Sequence, residues 1–359
     1  MSRPWPPPDY PYADAPVSRR VHLTQASTIT MRAVHWLWHE RLALGTLALM
    51  GGREGIGKSL CVYTIVASAT TGGLPGDYAN TPKSVIIVAT EDSWEHTIVP
   101  RLTAAGADLT KVFRADVHTS DLGETLLSLP RDVQALEDAI LEVGAAIVVL
   151  DPLMSRVAAT LDTHKDQEVR QALEPLVALA DRTKCVVLGL IHVNKTISTD
   201  ALTTLMGSRA FAAVARAVLF VMTDPNDEHT RLLGQAKNNL GRMDLPTLAF
   251  TIAQVQVGDD FGTPIMTAKL EWAGDSTLSI REAMSQTAEH GRENAGAVHE
   301  ATGWLEDYLA TQDGHADSTL IKREGQKAGH SLSSLQRARL KLRLKTLESG
   351  FPRKTFWAT

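Results

Sequence analysis

Residues 47–59 read LALMGGREGIGKS, and this stretch decides the fold. The apolar run 47–50 has the length and composition of a buried strand, and a helical pattern begins at about residue 58. Between them stands a full G-x-x-x-x-G-K-[ST] pattern, which belongs in a loop that joins a strand to the start of a helix. The stretch therefore predicts a phosphate-binding loop in an α/β domain, and a plain glycine-rich turn is the less favoured alternative.

This pattern suits phosphate chemistry. Glycines let backbone N–H groups converge on an anion at the positive end of a helix. Lys58 adds a mobile cation, expected to be exposed in the loop, and Ser59 offers an oxygen to Mg²⁺. The residues predicted to bind the nucleotide are Gly52, Arg53, Glu54, Gly55, Ile56, Gly57, Lys58, Ser59 and Leu60.

Acidic residues follow two other predicted strands. Asp151 comes directly after the apolar run 146–150, and an acid at the carboxyl end of a buried parallel strand lies on the ligand-binding edge of the sheet. Glu91 and Asp92 follow the strand 84–90, and Glu91 is a candidate general base for the attacking water. Two alternatives stay open. The alternative for Asp151 is a place in a strand-ending turn. The alternative for Glu91 and Asp92 is to cap the next helix, a role that suits Asp92 better than catalysis.

Apolar segments of strand length alternate with helical segments from about residue 30 onward. The predicted strands are 47–50, 84–90, 146–150, 185–191 and 218–222. The predicted helices between them are 58–70, 93–105, 131–143 and 165–182. This alternation indicates a parallel sheet with helices on both faces. Residues 231–273 read instead as strands and hairpins, which predicts antiparallel strands at the end of the sheet.

The C-terminal residues differ in charge from the rest. Residues 320–359 hold ten Lys or Arg and two acidic residues, a net charge of +8, in a chain whose net charge is −5. A short helix, a Gly-containing turn and a basic helix capped by Ser331 or Ser333, running through the sequence LKLRLKTLE, are typical of a helix-turn-helix. A basic tail on an acidic body is associated with nucleic-acid contact. A generic three-helix module is the alternative.

These patterns predict four segments. They are a Pro-rich N-terminal arm (1–29), an α/β core (30–274), a polar linker (275–296) and a basic helical domain (297–359).

The order of the motifs resembles that of the RecA-like ATPases, above all the branch of plasmid RepA-type hexameric helicases. The loop is followed by strands that end in Glu91, Asp151 and His192, and residues 34–38 (VHWLW) also resemble that branch. The resemblance covers about residues 30–255. With the C-terminal helices, it predicts an α/β fold class: a RecA-like parallel-sheet P-loop NTPase core, antiparallel strands at its C-terminal end, and a small (winged) helix-turn-helix-like domain.

The resemblance implies ATP and Mg²⁺ as ligands and a role for each motif residue. Lys58 and Ser59 become the phosphate and Mg²⁺ groups, Asp151 the second acid on the Mg²⁺ side, and Glu91 the catalytic base. His192 falls where the family places a sensor of the γ-phosphate. Without the resemblance, a lone histidine after an apolar strand is more often structural.

The resemblance also implies a ring, with a hexamer as the expected assembly. Family members bind ATP between subunits, and a basic residue of the neighbour reaches the γ-phosphate. The candidates for that residue are Arg209, Arg216, Lys237 and Arg242, with a surface charge or a salt bridge as the alternative role. The segment 237–242 resembles a Lys-Asn-Arg loop of ring helicases but has Asn239 where an arginine is often found.

In the family, the loop after His192 faces a central channel and touches single-stranded DNA. Here that loop spans residues 195–208, and Lys195 or Arg209 would supply the contact to the DNA backbone. An ordinary exposed loop is the alternative.

Composition excludes other classes of protein. No apolar stretch approaches the roughly 20 residues that span a bilayer, and the N-terminus lacks the apolar core of a signal peptide. Two cysteines, Cys61 and Cys185, are too few for a disulfide framework and sit in apolar runs. We expect a cytoplasmic protein that does not bind membranes.

Three functions remain. The first is an ATP-hydrolysing, ring-forming DNA motor or helicase of DNA replication, with duplex or origin binding by the C-terminal domain. The second is an ATP-switched DNA-binding regulator or loader without unwinding activity. The third is a small-molecule kinase. It is the least favoured of the three, because such an enzyme needs neither a second strand that ends in an acid, here Glu91, nor a basic tail.

Overall fold

The computed structural model describes residues 21–119, 123–194, 198–207, 209–349 and 353–359, without the side chains of residues 124 and 291–295. The chain divides into two units, residues 1–34 and 35–359. In the first unit, residues 21–34 are exposed and contain one 3₁₀ turn, Ala26–Thr28. Most of the predicted Pro-rich arm, residues 1–20, lies outside the described residues.

The second unit holds the strands and the longer helices. Its first nine strands are β1 (Trp36–Trp38), β2 (Leu42–Ala43), β3 (Leu47–Gly52), β4 (Ser84–Ala89), β5 (Val112–Arg114), β6 (Val117–Thr119), β7 (Gly123–Thr125), β8 (Ala145–Asp151) and β9 (Val186–His192). The helices of this part are α1 (Lys58–Thr71), α2 (Val99–Ala105), α3 (Val133–Val143), α4 (Asp166–Thr183), α5 (Ala201–Thr204) and α6 (Ala210–Val214).

The remaining elements complete the sheet and form a small C-terminal part. The strands are β10 (Ala217–Asp224), β11 (Asp227–Asn238), β12 (Thr247–Asp260), β13 (Thr263–Ser276), β14 (His315–Asp317), β15 (Lys345–Ser349) and β16 (Lys354–Ala358). The helices are α7 (Ile280–Ala310), α8 (Ser318–Lys327) and α9 (Leu332–Lys341).

Within the described residues, nine strands form one sheet in the order β13-β12-β11-β10-β3-β9-β8-β4-β5. The six strands from β10 to β5 are parallel, and β11, β12 and β13 continue the sheet in antiparallel pairs. The predicted mixed α/β architecture with a mostly parallel sheet is confirmed. The antiparallel strands lie at the end of the sheet, as predicted.

Alternating residues of the central strand explain why both faces of the sheet are covered. Leu47 and Leu49 pack into the core on the side of α3 and α4. Ala48 and Met50 pack into a second core, on the side of α1 and α2. Because successive side chains of a strand point to opposite faces, an apolar run such as 47–50 needs a helical layer on each side. Helices on both faces meet that need.

The segment 275–296 differs from the predicted linker. It consists of the end of β13 and the first half of α7, which is one continuous helix. Ser279 and Glu282 form a capping box at its start. Ile280, Ala283 and Met284 then recur at helical spacing and are buried against the core. The high average polarity of residues 275–296 therefore conceals an amphipathic helix.

The C-terminal part has a hydrophobic cluster of its own, which includes Leu305, Ile321, Leu335 and Trp357. Helices α8 and α9 pack beside a three-stranded antiparallel sheet in the order β14-β16-β15.

The start of α9 agrees with the sequence and its end does not. The Ser331 side chain accepts a hydrogen bond from the Ser334 N–H, so Ser331 is the N-cap. The predicted helix running through LKLRLKTLE ends at Lys341, and residues 345–349 are strand β15. Arg343 adopts a left-handed φ of 54°, which a continuing α-helix cannot contain.

Candidate functional site

The predicted phosphate-binding loop runs from the end of β3 to the start of α1. Gly55 and Gly57 have φ values of 70° and 103°, a conformation that L side chains rarely adopt. A Cβ atom on Gly57 would also lie 3.2 Å from Ile252 on β12. The first turn of α1 carries no acidic residue, so its N-terminus is free to attract an anion.

Lys58 is buried rather than exposed, with only 6% of its surface accessible, which corrects the expectation above. Its Nζ donates hydrogen bonds to the carbonyl oxygens of Gly52 at 2.9 Å and Arg53 at 2.8 Å. Burial lowers the pKa of Lys58, while the nearby carboxylate of Asp151 opposes that shift. The ammonium group therefore lies inside the loop, where it faces the place of a bound phosphate.

His192 ends β9, directly beside Gly52 in the neighbouring strand β3. Its Nδ1 lies 3.3 Å from Lys58 Nζ. Because an ammonium group only donates, Nδ1 accepts and a neutral ring carries its proton on Nε2. Burial, followed by the charge of Lys58, lowers the pKa of His192, so the ring is neutral at pH 7. The structure thus brings the predicted sensor and the predicted phosphate-binding lysine together.

Ser59 and Asp151 form the predicted metal side. The Ser59 hydroxyl donates to Asp151 Oδ2 at 3.0 Å, so α1 and the end of β8 are joined at this point. Burial raises the pKa of Asp151 to about 6, against the hydrogen bond from Ser59, which lowers it. A hydroxyl and a carboxylate at this separation are the oxygen ligands that Mg²⁺ takes beside nucleotide phosphates. The residues present therefore fit the metal.

Glu91 and Asp92 have different surroundings. Glu91 is exposed and lines the same cavity as Lys58 and Asp151, which suits a group that handles water. Asp92 pairs with Arg101 on α2, at 3.2 Å. The N-cap of the helical turn Trp94–Ile98, which precedes α2, is Ser93, whose hydroxyl accepts from the His96 N–H at 3.2 Å. The prediction that Asp92 caps this helix is therefore wrong.

These residues line one cavity of about 370 Å³. Its phosphate side holds Gly57, Lys58, Ser59 and the acids described above. The lining also includes Leu60, Arg101, Ile252 and Ala268. Sequence reasoning missed the last three, since α2 and the β12–β13 hairpin reach the loop only through the tertiary fold. The volume is in the range of small-molecule sites.

The four cations predicted to act on a neighbour's nucleotide are placed differently. Lys237 Nζ donates to the carbonyl oxygens of Ala212, Ala213 and Ala215, at 2.7 to 3.3 Å, and so caps α6. Arg242 pairs with Asp244 at 2.8 Å. These contacts give Lys237 a structural role within its own chain and engage Arg242 in a surface ion pair.

Arg209 and Arg216 are exposed, and neither side chain has a hydrogen bond or an ion pair with the described part of the chain. Arg216 precedes β10, and its backbone N–H donates to the Leu47 carbonyl at the start of β3. The phosphate-binding loop begins at the other end of β3, roughly 17 Å away at 3.3 Å per residue. Arg216 therefore cannot reach the nucleotide site of its own chain.

The loop after His192 is tied to that histidine. The Met206 N–H donates to the His192 carbonyl at 2.9 Å, and the Asn194 N–H donates to the Thr204 carbonyl at 2.7 Å. These bonds close the base of the loop at the nucleotide site. Lys195, one of the two predicted DNA contacts, lies outside the described residues, as does Ser208 at the end of this loop.

With this geometry established, a comparison with family models is informative. A model described as an AAA domain matches residues 16–198, just over half of the chain. The chain belongs to the AAA domain family. The match to this AAA-type P-loop ATPase family covers the loop, Glu91, Asp151 and His192, and it supports ATP binding and hydrolysis, typically with Mg²⁺.

The AAA domain match ends before Arg209, Arg216 and the C-terminal part. A search of curated proteins finds no match. Among the described residues, no helix of this AAA domain protein combines the length and the apolarity needed to cross a membrane.

Proposed function

We propose that this AAA domain protein is an ATP-hydrolysing, ring-forming DNA motor or helicase of the RepA type that acts in DNA replication. The observation that carries the proposal is the joining of Lys58, Ser59, Asp151 and His192 at one cavity, by bonds of 3.0 and 3.3 Å. Lys58 and the start of α1 bind the phosphates, and Glu91 orients and deprotonates the attacking water. Mg²⁺ held by Ser59 and Asp151 would neutralise developing phosphate charge.

Assembly into a ring, with a hexamer as the expected form, is supported by the position of Arg216. It is an exposed cation at the edge of the sheet opposite to the phosphate-binding loop. A head-to-tail ring brings unlike surfaces of neighbouring copies together. Arg216 then supplies, from one copy, positive charge to the phosphates bound by the next.

The proposed path of single-stranded DNA is the central channel, lined by the loop after His192. The hydrogen bonds that close this loop start at His192 itself. Loss of the γ-phosphate therefore changes the surroundings of the same residue that anchors the loop, which links hydrolysis to movement on DNA.

The C-terminal part is proposed to be a winged helix-turn-helix that binds duplex DNA. Helices α8 and α9, with the β15–β16 hairpin after them, follow that order of elements. On α9, Leu335 and Ala338 are buried, whereas Ser333, Gln336 and Arg337 are exposed. An exposed helix face with amide and guanidinium groups is suited to the edges of bases in the major groove.

The test is ATP hydrolysis by the purified protein with Mg²⁺, with and without single-stranded DNA. The mass of the assembly in solution is measured alongside, with a non-hydrolysable ATP analogue bound. We expect DNA-stimulated hydrolysis, a ring-sized assembly and strand separation on a forked duplex. Absence of hydrolysis in every condition would refute the proposal.

The second candidate is an ATP-switched DNA-binding regulator or loader. It is favoured by α7, a single helix that is buried in the ATPase core through Ile280 and in the C-terminal cluster through Leu305. Such a helix can transmit a nucleotide-dependent change without any unwinding. Weak hydrolysis that ignores DNA, with duplex binding by the C-terminal part, would select this function.

A further inference from the structure

Arg156 is a buried charge close to the acids of the ATP site. It lies in a 3₁₀ turn, Met154–Arg156, that follows β8, and only 2% of its surface is exposed. A buried guanidinium is costly unless its charge and its five N–H groups find partners. The sequence DPLMSR gives no sign that this arginine is inside the protein.

The contacts of Arg156 point to the end of β4. One terminal nitrogen donates to the hydroxyl of Thr90 at 3.0 Å. Its Nε and its other terminal nitrogen have no hydrogen-bond partner among the described residues. Burial lowers the pKa of Arg156, and the carboxylate of Glu91, the residue after Thr90, opposes that shift. The guanidinium thus holds Thr90, the residue before Glu91, and is attracted by the carboxylate of Glu91 itself.

The backbone that carries Arg156 is anchored to the strands of the site. The Leu153 N–H donates to the Leu190 carbonyl on β9 at 3.0 Å, and the Arg156 N–H donates to the Leu153 carbonyl at 2.9 Å. Leu153 packs on Gly189, where a Cβ atom would lie 2.6 Å from it. The turn therefore has a fixed position relative to the strands that end in Asp151 and His192.

We propose that Arg156 is a positioning residue for ATP hydrolysis, which holds Glu91 in register with Asp151 through the Thr90 hydroxyl. The inference rests on the proposed ATPase function. The Thr90 N–H already bonds the Asp151 carbonyl at 3.4 Å, so the backbone and side chain of Thr90 connect the two acids with the arginine. The two nitrogens of Arg156 that have no partner, Nε and one terminal nitrogen, are available to the Glu91 carboxylate when it turns toward the nucleotide.

Substitutions at both ends of this contact test the proposal. Arg156→Met keeps most of the side-chain volume without a charge, Arg156→Lys keeps the charge, and Thr90→Val removes only the hydroxyl. Arg131→Met is the control, because Arg131 is an exposed arginine paired with the adjacent Asp132. For each variant and the double variant we would measure kcat, the Kd of a fluorescent ATP analogue and Tm.

We expect Arg156→Met to lower kcat roughly tenfold or more, with analogue binding changed by less than about twofold. Its Tm should not fall, because methionine removes a buried charge with unpaired donors. Arg156→Lys should recover part of kcat, and Thr90→Val should lower it. The double variant should be no slower than Arg156→Met, since both changes break one contact.

If the wild-type protein hydrolyses ATP and the Arg156→Met variant keeps full kcat, this inference is overturned and the proposed function stands. Parallel losses of kcat, analogue binding and Tm would also overturn it, because they indicate a merely structural arginine. If Arg156→Met does not fold, full kcat in Thr90→Val overturns the inference and a loss of kcat supports it. A wild-type protein without hydrolysis would overturn the proposed function, and the inference with it.

Discussion

Lys58 shows how a single residue organises the site before a nucleotide binds. Its ammonium group bonds two carbonyl oxygens of its own loop and the ring of His192. These bonds replace the water that a free lysine would keep, so the cation is already desolvated where phosphate charge arrives. Preorganised charge of this kind is worth more to a developing anion than a mobile surface lysine.

The first prediction concerns Lys58→Ala. We expect loss of detectable ATP hydrolysis, because the variant lacks the cation that contacts the phosphates. Loss of two loop hydrogen bonds should also lower stability, by about 1 kcal/mol per bond. Hydrolysis assays and thermal melts would check both effects. Lys165→Ala, at an exposed ion pair, is the control, and retained hydrolysis in Lys58→Ala would contradict the site.

The second prediction concerns Asp151→Asn, which should abolish hydrolysis and stabilise the protein. Burial raises the pKa of Asp151 from 3.8 to about 6, so its charged form is disfavoured in the folded state. The penalty is fully present above about pH 6 and disappears below about pH 4, where the acid is protonated in both states. It amounts to at most about 3 kcal/mol.

Thermal melts of wild type and Asp151→Asn without nucleotide would measure this penalty. The gain in Tm should be clear at pH 8 and should shrink as the pH falls to 4. A variant that melts below wild type at pH 8 would show that Asp151 stabilises the fold rather than serving the ligand.

At the scale of elements, the contact of α8 with α9 depends on Gly325. A Cβ atom there would lie 2.6 Å from Leu335 and 3.0 Å from Trp304. Glycine thus lets the two helices approach closely enough for Leu335 to be fully buried. A side chain at this position has to separate them.

The third prediction follows from that close approach. Gly325→Val should destabilise the C-terminal cluster by about 1–3 kcal/mol and weaken binding to duplex DNA, because overpacking displaces α9. Basal ATP hydrolysis should stay within about twofold, since the cluster is separate from both cores of the sheet. Tryptophan fluorescence melts and DNA titrations would measure this. Gly303→Val is the matched control for Gly325→Val, because a Cβ at Gly303 meets no atom within 4 Å.

The fourth prediction concerns Arg337 and Lys341, two exposed cations of α9. Arg337→Ala with Lys341→Ala should weaken duplex binding. Loss of the Lys341 phosphate contact should reduce the slope of log K against log salt by about 1, and loss of the Arg337 guanidinium should relax base specificity. Deleting residues 297–359 should act in the same direction, but it cuts α7 within its length. Lys327, which pairs with Glu324, provides the control substitution. An unchanged slope would mean that α9 does not touch DNA.

At the scale of the whole molecule, the sheet separates the two halves of the proposed catalytic machinery. The loop lies at the carboxyl edge of β3, and Arg216 lies at the amino edge of the adjacent parallel strand. No movement of one side chain crosses that distance. If Arg216 acts on ATP, a second copy must provide it.

The fifth prediction is therefore complementation between inactive variants. Lys58→Ala and Arg216→Ala should each lack hydrolysis alone. In an equal mixture, about a quarter of the sites should regain hydrolysis. Random mixing in a closed ring places an intact Lys58 beside an intact Arg216 of the next copy at that fraction of the interfaces. Hydrolysis assays after subunit exchange would detect the recovery. A mixture of Lys58→Ala with Lys165→Ala, which keeps Arg216 in both partners, calibrates the effect of dilution. Failure to recover would exclude action of Arg216 between copies.

Local patterns predicted the parts of the fold that depend on neighbouring residues. The buried strands and the turn of the loop were predicted because an apolar run of four to seven residues and a glycine spacing are both short-range signals. The linker was wrong because averaging over 275–296 hid the three-and-four spacing of Ile280, Ala283 and Met284. The contacts of Lys237 could not be predicted from the sequence, since its carbonyl partners lie more than twenty residues earlier in the chain.

The sequence by itself determined that this protein has a phosphate-binding loop in a mostly parallel α/β sheet, with acids at two further strand ends. Only the tertiary structure decided which groups meet there. It joined Ser59 to Asp151 across 92 positions, closed the cavity with Arg101 and a distant hairpin, and buried Arg156 beside Thr90. The physical reason is that strand order and helix packing, rather than local propensity, set the distances between residues far apart in the chain.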